Sequence, residues 1–266
     1  MSIRQRNDEG REDWGGFELA IAGSTHVGRI RKTNQDAFDR FDDANRGEIL
    51  LVVADGMGGH RGGEVASAMA VGTLGKLFAE GDSDGDPATR IAAALERANF
   101  EIHKLANKDR TLEGMGTTVV ALLLRQDGPS FVAHVGDSRL YRLRGDEFES
   151  LTEDHSVIAL MLRRGDITPQ EAINHPKQNQ LMRALGVWDE VEPDITPIDL
   201  QPGDSFLLCS DGLYGMLPDA ELKALASRAP DPHAGVAWMI DAANQAGGKD
   251  NVTAMIAELH PATGSS

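Results

Sequence analysis

Short apolar runs bounded by glycine, aspartate or asparagine recur along the chain, and their lengths and borders are typical of β-strands. They predict strands at residues 17–22, 49–54, 118–124, 131–135, 140–143, 205–209 and 252–259. The run at 49–54 is apolar at every position, which predicts a strand covered on both faces.

One long helix is predicted from a single apolar stripe that runs through residues 91–105. It begins at about Asp86 and Pro87, because proline is favoured in the first turn of a helix. The acidic stretch 82–86 looks like a calcium loop, but an EF-hand needs glycine and glutamate where the chain has Pro87 and Ala93. We therefore expect a solvated turn here, with Asp86 as the helix cap.

Two further regions have helical periodicity. Val65, Met69 and Gly72 mark one stripe, and residues 218–246 predict two helices separated by the prolines at 230–232. Strands and helices therefore come in separate runs and do not alternate as in a parallel doubly wound sheet. The order predicts an α+β fold in which antiparallel sheets carry helices on their outer faces.

The ends of the chain are polar or rich in small residues, whereas the interior has no repeat or low-complexity tract. We expect one domain over residues 17–260, with flexible segments at 1–16 and 261–266. The first residues do not resemble a signal peptide, and no apolar window approaches the length of a membrane span. The sequence therefore predicts a cytoplasmic protein.

Acidic residues outnumber basic ones, with 42 Asp and Glu against 26 Lys and Arg and a formal net charge of −16. This balance disfavours duplex nucleic acid or an anionic membrane as the partner, since both attract surplus positive charge. The only cysteine, Cys209, lies in an apolar run, so it predicts a buried core thiol and excludes an internal disulfide.

Three aspartates stand at the rims of predicted strands. Asp55 and Asp211 follow apolar runs, and Asp250 precedes one. Each is either a turn residue or a ligand of a shared cation, because grouped buried carboxylates repel one another unless a positive charge compensates them. A site with only oxygen ligands suits Mg²⁺ or Mn²⁺ better than zinc, and Gly56 lets a backbone carbonyl join it.

A cluster of positive charge at Arg29, Arg31 and Lys32 is unusual in so acidic a chain. It is either a solvated basic turn or a phosphate-binding element, because the planar guanidinium of arginine matches phosphate oxygens. Together with carboxylates that hold metal ions, the second interpretation indicates phosphoryl chemistry.

The motifs of the chain resemble those of the metal-dependent protein serine/threonine phosphatases of the PPM, or type 2C, family, and specifically its compact bacterial members. Eight pieces match in the order that the family has, over roughly residues 18–259. They are RKTNQD (31–36), DGMGG (55–59), GMGTT (114–118), VGDSR (135–139), LTEDHS (151–156), RALG (183–186), CSDGL (209–213) and KDNVT (249–253).

The resemblance implies a four-layer αββα sandwich with a binuclear metal centre at one edge. Asp55 is expected to bridge the two ions, which are Mn²⁺ or Mg²⁺, and the Gly56 carbonyl to complete the first. Asp211 and Asp250 are expected to hold the second ion. Asp137 matches the ligand of a third, weaker ion in bacterial members.

The resemblance also assigns residues around the metal ions. Asp36 matches a residue that orients metal-bound water, and Arg31 matches the residue that grips the substrate phosphate. Residues 155–185 look like a mobile segment over the active site, here called the flap segment. Asn179, within it, lies where some relatives give the third ion an oxygen ligand.

One position departs from the eukaryotic relatives, which often have histidine where this chain has Met57. That histidine is proposed to protonate the leaving alkoxide, and methionine cannot do so. The acid here is therefore expected to be water or another group. His60, three residues later, is an alternative, although a lone exposed histidine is usually only solvated.

The implied reaction is hydrolysis of phosphoserine and phosphothreonine in proteins, in which metal-activated water attacks phosphorus without a protein nucleophile. Expected partners are phosphorylated proteins and a cognate serine/threonine kinase. The active form is expected to be a monomer that recognises its substrates by the local cluster of Arg29, Arg31, Lys32 and Arg61. Alternatives are a phosphoesterase for small molecules, a catalytically silent phosphoprotein-binding module, and an acidic calcium-binding protein.

Overall fold

The computed structural model describes residues 4–7, 11–59, 61–80, 85–173 and 175–262. Its strands are β1 (Arg4–Asn7), β2 (Glu12–Trp14), β3 (Phe17–His26), β4 (Asp36–Asp43), β5 (Glu48–Met57), β6 (Gly116–Thr117), β7 (Val119–Arg125), β8 (Ser130–Val135), β9 (Arg139–Arg144), β10 (Glu147–Ser150), β11 (Asp194–Ile198), β12 (Ser205–Cys209) and β13 (Val252–Pro261). Its helices are α1 (Gly62–Glu80), α2 (Pro87–Lys108), α3 (Val157–Arg164), α4 (Pro169–Ala172), α5 (Asp211–Tyr214), α6 (Asp219–Arg228) and α7 (Pro232–Gln245), with a 3₁₀ turn at Arg110–Leu112.

The strands form two sheets in which the pairings are antiparallel. The first has the order β1-β3-β13-β12-β9-β10, with β2 also paired to β3. The second has the order β11-β8-β7-β5-β4, with β6 added to the end of β5. The prediction of antiparallel sheets is confirmed.

Three apolar clusters fill the spaces between four layers. One lies between the two sheets, one between the second sheet and helices α1 and α2, and one between the first sheet and helices α5 to α7. Strand β5 shows how the layers arise: Leu51 and Val53 face the other sheet, whereas Leu50 and Val52 face the helices. The αββα sandwich and the strand covered on both faces are therefore confirmed.

Each region predicted as helical is a helix, whereas α3, α4 and α5 were not predicted. Helix α2 begins at Pro87, and the Asp86 carboxylate accepts a hydrogen bond from the Thr89 N–H at 3.0 Å. The two helices predicted within 218–246 are α6 and α7. Among the residues described, no helix has both the length and the apolar character needed to cross a bilayer.

The stripe predicted for α1 is wrong at Gly72, which is exposed, whereas Val65 and Met69 are partly buried and pack against the cluster between α1 and the second sheet. The contact face consists of smaller residues, namely Gly62, Gly63, Ala66, Ser67, Ala70, Val71, Leu74 and Gly75. A Cβ atom at Gly63 would lie 2.6 Å from the Gly56 oxygen, so the helix approaches β5 more closely than large side chains allow.

The expectation of flexibility over 1–16 needs correction for the part of this segment that the structure describes. Strands β1 and β2 both pair with β3, and Trp14 packs between the sheets with 5 % of its surface exposed. Burial of an indole ring and the sheet hydrogen bonds hold this segment, although its composition is polar. Residues 82–84 of the solvated turn predicted at 82–86, His60 and residues 263–266 lie outside the described ranges.

Candidate active site

Asp211 and Asp250 are brought together by the pairing of two central strands. Strand β12 leads into Asp211, β13 follows Asp250, and the antiparallel register places Cys209 opposite Ala254. The end of β12 therefore lies beside the start of β13. The contact is close, because a Cβ atom at Gly212 would lie 1.8 Å from the Asn251 oxygen.

Asp55 and Asp36 enter the same region from the second sheet. They are opposite one another in the β4–β5 register, so their side chains share one face of the sheet. The chain between β3 and β4 crosses from one sheet to the other, and the Asn251 side chain fixes it. Its Nδ2 donates to the carbonyls of Val27 and Thr33, both at 3.0 Å, and its Oδ1 accepts from the Gln35 N–H at 2.8 Å.

A single cleft contains most of the predicted site residues. The residues that line it are Arg31, Gln35, Asp55, Gly56, Met57, Gly58, Thr118, Asp137, Asn179, Leu181, Asp211, Asp250 and Asn251. Asp36 lies behind this lining, where its Oδ2 accepts hydrogen bonds from the hydroxyls of Ser210 at 2.8 Å and Thr253 at 2.6 Å. The sequence therefore located a set of residues that meet in space, although they are separated by up to 219 positions.

The carboxylates of the cleft perturb one another. Burial, followed by the charges of Asp211 and Asp250, raises the pKa of Asp36 to about 7. Burial, followed by the charge of Asp211, raises the pKa of Asp137 to about 7 as well. Burial and the charge of Asp36 hold the pKa of Asp55 well above its ordinary value, and burial with the charge of Asp250 raises the pKa of Asp211. The concentration of negative charge in the cleft therefore costs free energy.

The donor set fits hard divalent cations. It consists of carboxylate oxygens, with the Gly56 carbonyl and the Asn179 amide as further oxygen donors in the same lining. In addition, the Oδ1 atom of Asp36 is buried without a hydrogen-bond partner. A buried carboxylate oxygen left unpaired is costly, and cations in the cleft would offset both this cost and the mutual repulsion of the aspartates.

Arg31 is the basic residue of the cleft. Its Nη2 donates to Asp250 Oδ2 at 2.7 Å, and about half of its side chain is exposed, with a relative accessibility of 53 %. Gly28 permits the turn that presents Arg31: its φ is +78°, and a Cβ atom there would lie 2.1 Å from the Asp250 oxygen. Arg29 and Lys32 are exposed outside the lining.

Three supporting residues were not given roles by the sequence analysis, although two of them, Thr118 and Ser138, lie inside the matched motifs. The Thr118 hydroxyl accepts from the Asp55 N–H at 3.1 Å and pairs with the Ser138 hydroxyl at 2.6 Å. The Tyr214 hydroxyl donates to the Asp137 carbonyl at 2.9 Å, which ties α5 to the loop that carries Asp137. The only sequence signal for Thr118 and Ser138 was their position inside the motifs at 114–118 and 135–139.

The flap segment forms one side of the cleft through Asn179 and Leu181. It contains α3 and α4 and is attached at both ends, by a bridge between Ser156 and Leu181 and another between Thr117 and Leu185. Its mobility stays a prediction.

A second group of potential metal ligands lies apart from the aspartates. One ligand atom each of His134, His155 and Asp194 lies within 4.8 Å of the others. Hydrogen bonds already engage these groups: His134 Nε2 contacts the Glu153 carbonyl at 2.9 Å, and Arg183 donates to Asp194 Oδ1 at 2.6 Å. The adjacent guanidinium disfavours a cation, so this group is a structural network at the base of the flap segment.

Cys209 is fully buried in the cluster between the first sheet and its helices. Burial raises the pKa of its thiol, which keeps it protonated. The prediction of a core thiol agrees with this environment.

Comparisons with known proteins find a matching family model, similar sequences and similar solved structures. Residues 22–254 match the family model described as protein phosphatase 2C. The serine/threonine phosphatase Stp of Listeria innocua is 41 % identical over 239 residues, which cover 88 % of this chain and 93 % of that protein. Among solved structures, the Streptococcus agalactiae serine/threonine phosphatase has a TM-score of 0.84 at 33 % identity and covers 90 % of this chain and 99 % of its own.

A second structural neighbour is the catalytic domain of the serine/threonine protein phosphatase PstP in complex with 2 manganese ions. Its TM-score is 0.80 at 35 % identity, and the match covers 91 % of this chain and 98 % of that one.

Proposed function

The chain belongs to the protein phosphatase 2C family and is a protein serine/threonine phosphatase, and we propose that it hydrolyses phosphoserine and phosphothreonine in proteins with the aid of Mn²⁺ or Mg²⁺. The observation that carries the proposal is the meeting of Asp55, Asp211 and Asp250 in one cleft that also presents Arg31. The manganese ions of the PstP structure support the choice of cofactor.

The proposed metal ligands are the oxygen donors that line the cleft. Asp55 and the Gly56 carbonyl would hold one ion, and Asp55, Asp211 and Asp250 a second. Asp137 and Asn179 would contribute to a third ion on the flap side. Such ions, when bound, supply an activated water for attack on phosphorus and positive charge for the phosphate oxygens.

Two further residues have proposed roles in positioning the reactants. Asp36, fixed by the hydroxyls of Ser210 and Thr253, would orient water through its remaining oxygen. Arg31 would bind the phosphate by its planar guanidinium, which requires that it exchange its bond to Asp250 for one to the substrate.

Solvent is the proposed source of the proton for the leaving group. Met57 lines the cleft and has no proton to give, and no histidine belongs to the lining in the part of the chain that the structure describes. The partly exposed cleft gives water access to the leaving oxygen.

The remaining assignments concern the setting of the enzyme. We propose a single catalytic domain over residues 17–260, extended at its N-terminal end by strands β1 and β2, with residues 155–185 as its flap. We further propose that it is a monomer and that it opposes a serine/threonine kinase in the cytoplasm. The acidic composition and the single cysteine support a setting without nucleic acid, membrane or disulfides.

The direct test is hydrolysis of a phosphothreonine peptide by purified protein, with Mn²⁺ and after chelation by EDTA. We expect turnover that depends on Mn²⁺ and is lost and restored reversibly, while circular dichroism shows a folded chain in both states. A folded, chelated sample that still releases phosphate would contradict the proposal. Turnover of nucleotides or sugar phosphates in preference to the peptide would favour a small-molecule phosphoesterase.

Replacement of Arg31 by alanine is expected to lower kcat/KM for the same peptide by about 10²-fold, since charge on the phosphate oxygens loses its partner in the transition state. The matched control is Arg228→Ala on the exposed end of α6, which removes the same charge from the outer helical layer. Equal activities of the two variants would show that Arg31 does not bind the phosphate.

A further inference from the structure

The wall of the cleft that contains Met57 continues into an exposed apolar surface. Met57 pairs with Gly116 in the β5–β6 ladder, and Thr117 in turn pairs with Leu185. The chain after Leu185 therefore runs beside the cleft. Val187 and Met57 both pack on Gly116, because a Cβ atom there would lie 2.7 Å from Val187 Cγ2 and 3.1 Å from Met57 Cε.

Val187 and the following Trp188 are large apolar residues that remain 36 % and 43 % exposed. The backbone that presents them is held firmly by Asn99 of α2, which is itself only 2 % exposed. Its Oδ1 accepts from the Gly186 N–H at 2.7 Å, and its Nδ2 donates to the carbonyls of Trp188 and Asp189, both at 3.1 Å. A tryptophan exposed on a preorganised backbone is typical of binding surfaces.

Acidic residues border this apolar surface. Asp189, Glu190 and Glu192 follow Trp188 and are exposed. Within the described ranges, their side chains take part in none of the ion pairs that the structure contains. By contrast, the segment between β3 and β4, which passes near Asp250, carries the basic residues Arg29, Arg31 and Lys32. The two approaches to the cleft therefore differ in charge.

We propose that Val187, Trp188, Asp189 and Glu190, here called the docking strip, bind the polypeptide that flanks the phosphorylated residue and select substrates that carry a large apolar side chain followed by lysine or arginine. The proposal rests on the proposed function, because it assigns the substrate class of the same site. A phosphorylated side chain that enters the cleft brings its neighbours against the adjoining surface. The apolar contact with the docking strip removes Trp188 from water, and the acidic border attracts basic side chains.

The test compares symmetric phosphothreonine peptides, so that the direction of binding does not affect the result. One peptide has leucine and then two basic residues on each side, a second has alanine in place of leucine, and a third has glutamates in place of the basic residues. We expect the first to have a kcat/KM about tenfold above each of the others, through KM and not kcat. Trp188→Ala should reduce the advantage of leucine, and Glu190→Lys should reduce or invert the advantage of the basic residues.

The controls separate this proposal from the proposed function. Hydrolysis of p-nitrophenyl phosphate, which has no flanking chain, should be the same in both variants and the native protein. Glu221→Lys, an equal charge change on the exposed face of α6, should leave peptide preference unchanged. Peptide turnover that ignores the flanking residues would overturn the docking strip alone, whereas absence of turnover of every peptide would overturn the proposed function and the docking strip together.

Discussion

Replacement of Asp55 by asparagine is expected to lower kcat/KM for a phosphothreonine peptide by a factor on the order of 10³ or more while the fold is retained. Asp55 stands opposite Asp36 in the β4–β5 register and lines the cleft together with Asp211 and Asp250. An amide offers one neutral oxygen where the carboxylate offers two charged ones. The variant therefore loses much of the attraction that would hold two cations at this point.

The same substitution is expected to spare or raise the stability of the metal-free protein. Burial and the neighbouring charges of Asp36, Asp211 and Asp137 raise the pKa of Asp55, which means that its ionised form is disfavoured in the metal-free fold. Loss of that charge relieves repulsion. Calorimetric titration should therefore show weakened Mn²⁺ binding, and thermal unfolding in EDTA should show a Tm no lower than that of the native protein.

The matched control for this prediction is Asp127→Asn. Asp127 is exposed in the turn that follows β7, whereas the cleft lies at the other end of that strand, next to Thr118. The Asp127→Asn substitution removes the same charge from the opposite end of the sheet and should leave kcat, KM and Mn²⁺ binding unchanged. Near-native turnover by Asp55→Asn with added Mn²⁺ would refute the assignment of Asp55 as a metal ligand.

The central strands could be predicted from the sequence because a strand that is buried on both faces is apolar at successive positions. In β5 both faces are covered, so Leu50, Leu51, Val52 and Val53 form a continuous apolar run, and the run ends where Asp55 begins the site. The same logic placed β12 and β13, whose rims carry Asp211 and Asp250. These rims face one another because of the order of the strands in the sheets, and no local sequence pattern contains that order. The expectation that the rims meet came from the resemblance to a known family.

The edge strands and the contact face of α1 were not predicted because their stability comes from tertiary partners. Strand β4 contains Asp39 and Arg40 among its apolar residues, and it is a strand because β5 supplies its hydrogen bonds. In α1, Gly63 and Gly75 lie on the buried face because large side chains would collide with β5 and with Phe41. A search for large apolar residues at helical spacing cannot find a face of that kind.

The group of ion pairs around Glu48, at the end of β5 remote from Asp55, could likewise not be predicted from the sequence. Glu48 is only 3 % exposed and accepts from three arginines. Arg90 Nη2 contacts both of its oxygens at 2.7 Å, Arg125 Nε lies at 3.0 Å, and Arg46 Nε lies at 3.2 Å. These arginines come from α2, from β7 and from the turn before β5. The Glu48 carboxylate therefore joins the second sheet to helix α2, which packs on the outer face of that sheet.

Replacement of Glu48 by glutamine is accordingly expected to destabilise the fold by about 3 kcal/mol, because a buried charge that loses its partner is more costly than the intact pair is favourable. For a chain of this size that loss corresponds to a fall in Tm of about 8 °C. Glu147→Gln, on the exposed end of β10, is the matched control and should change Tm by less than about 2 °C.

Since Glu48 and Asp55 are separated by roughly 23 Å along the strand, kcat and KM measured well below the Tm should stay native. An unchanged Tm would mean that water compensates the three arginines, and loss of activity without loss of Tm would mean that the two ends of β5 are coupled.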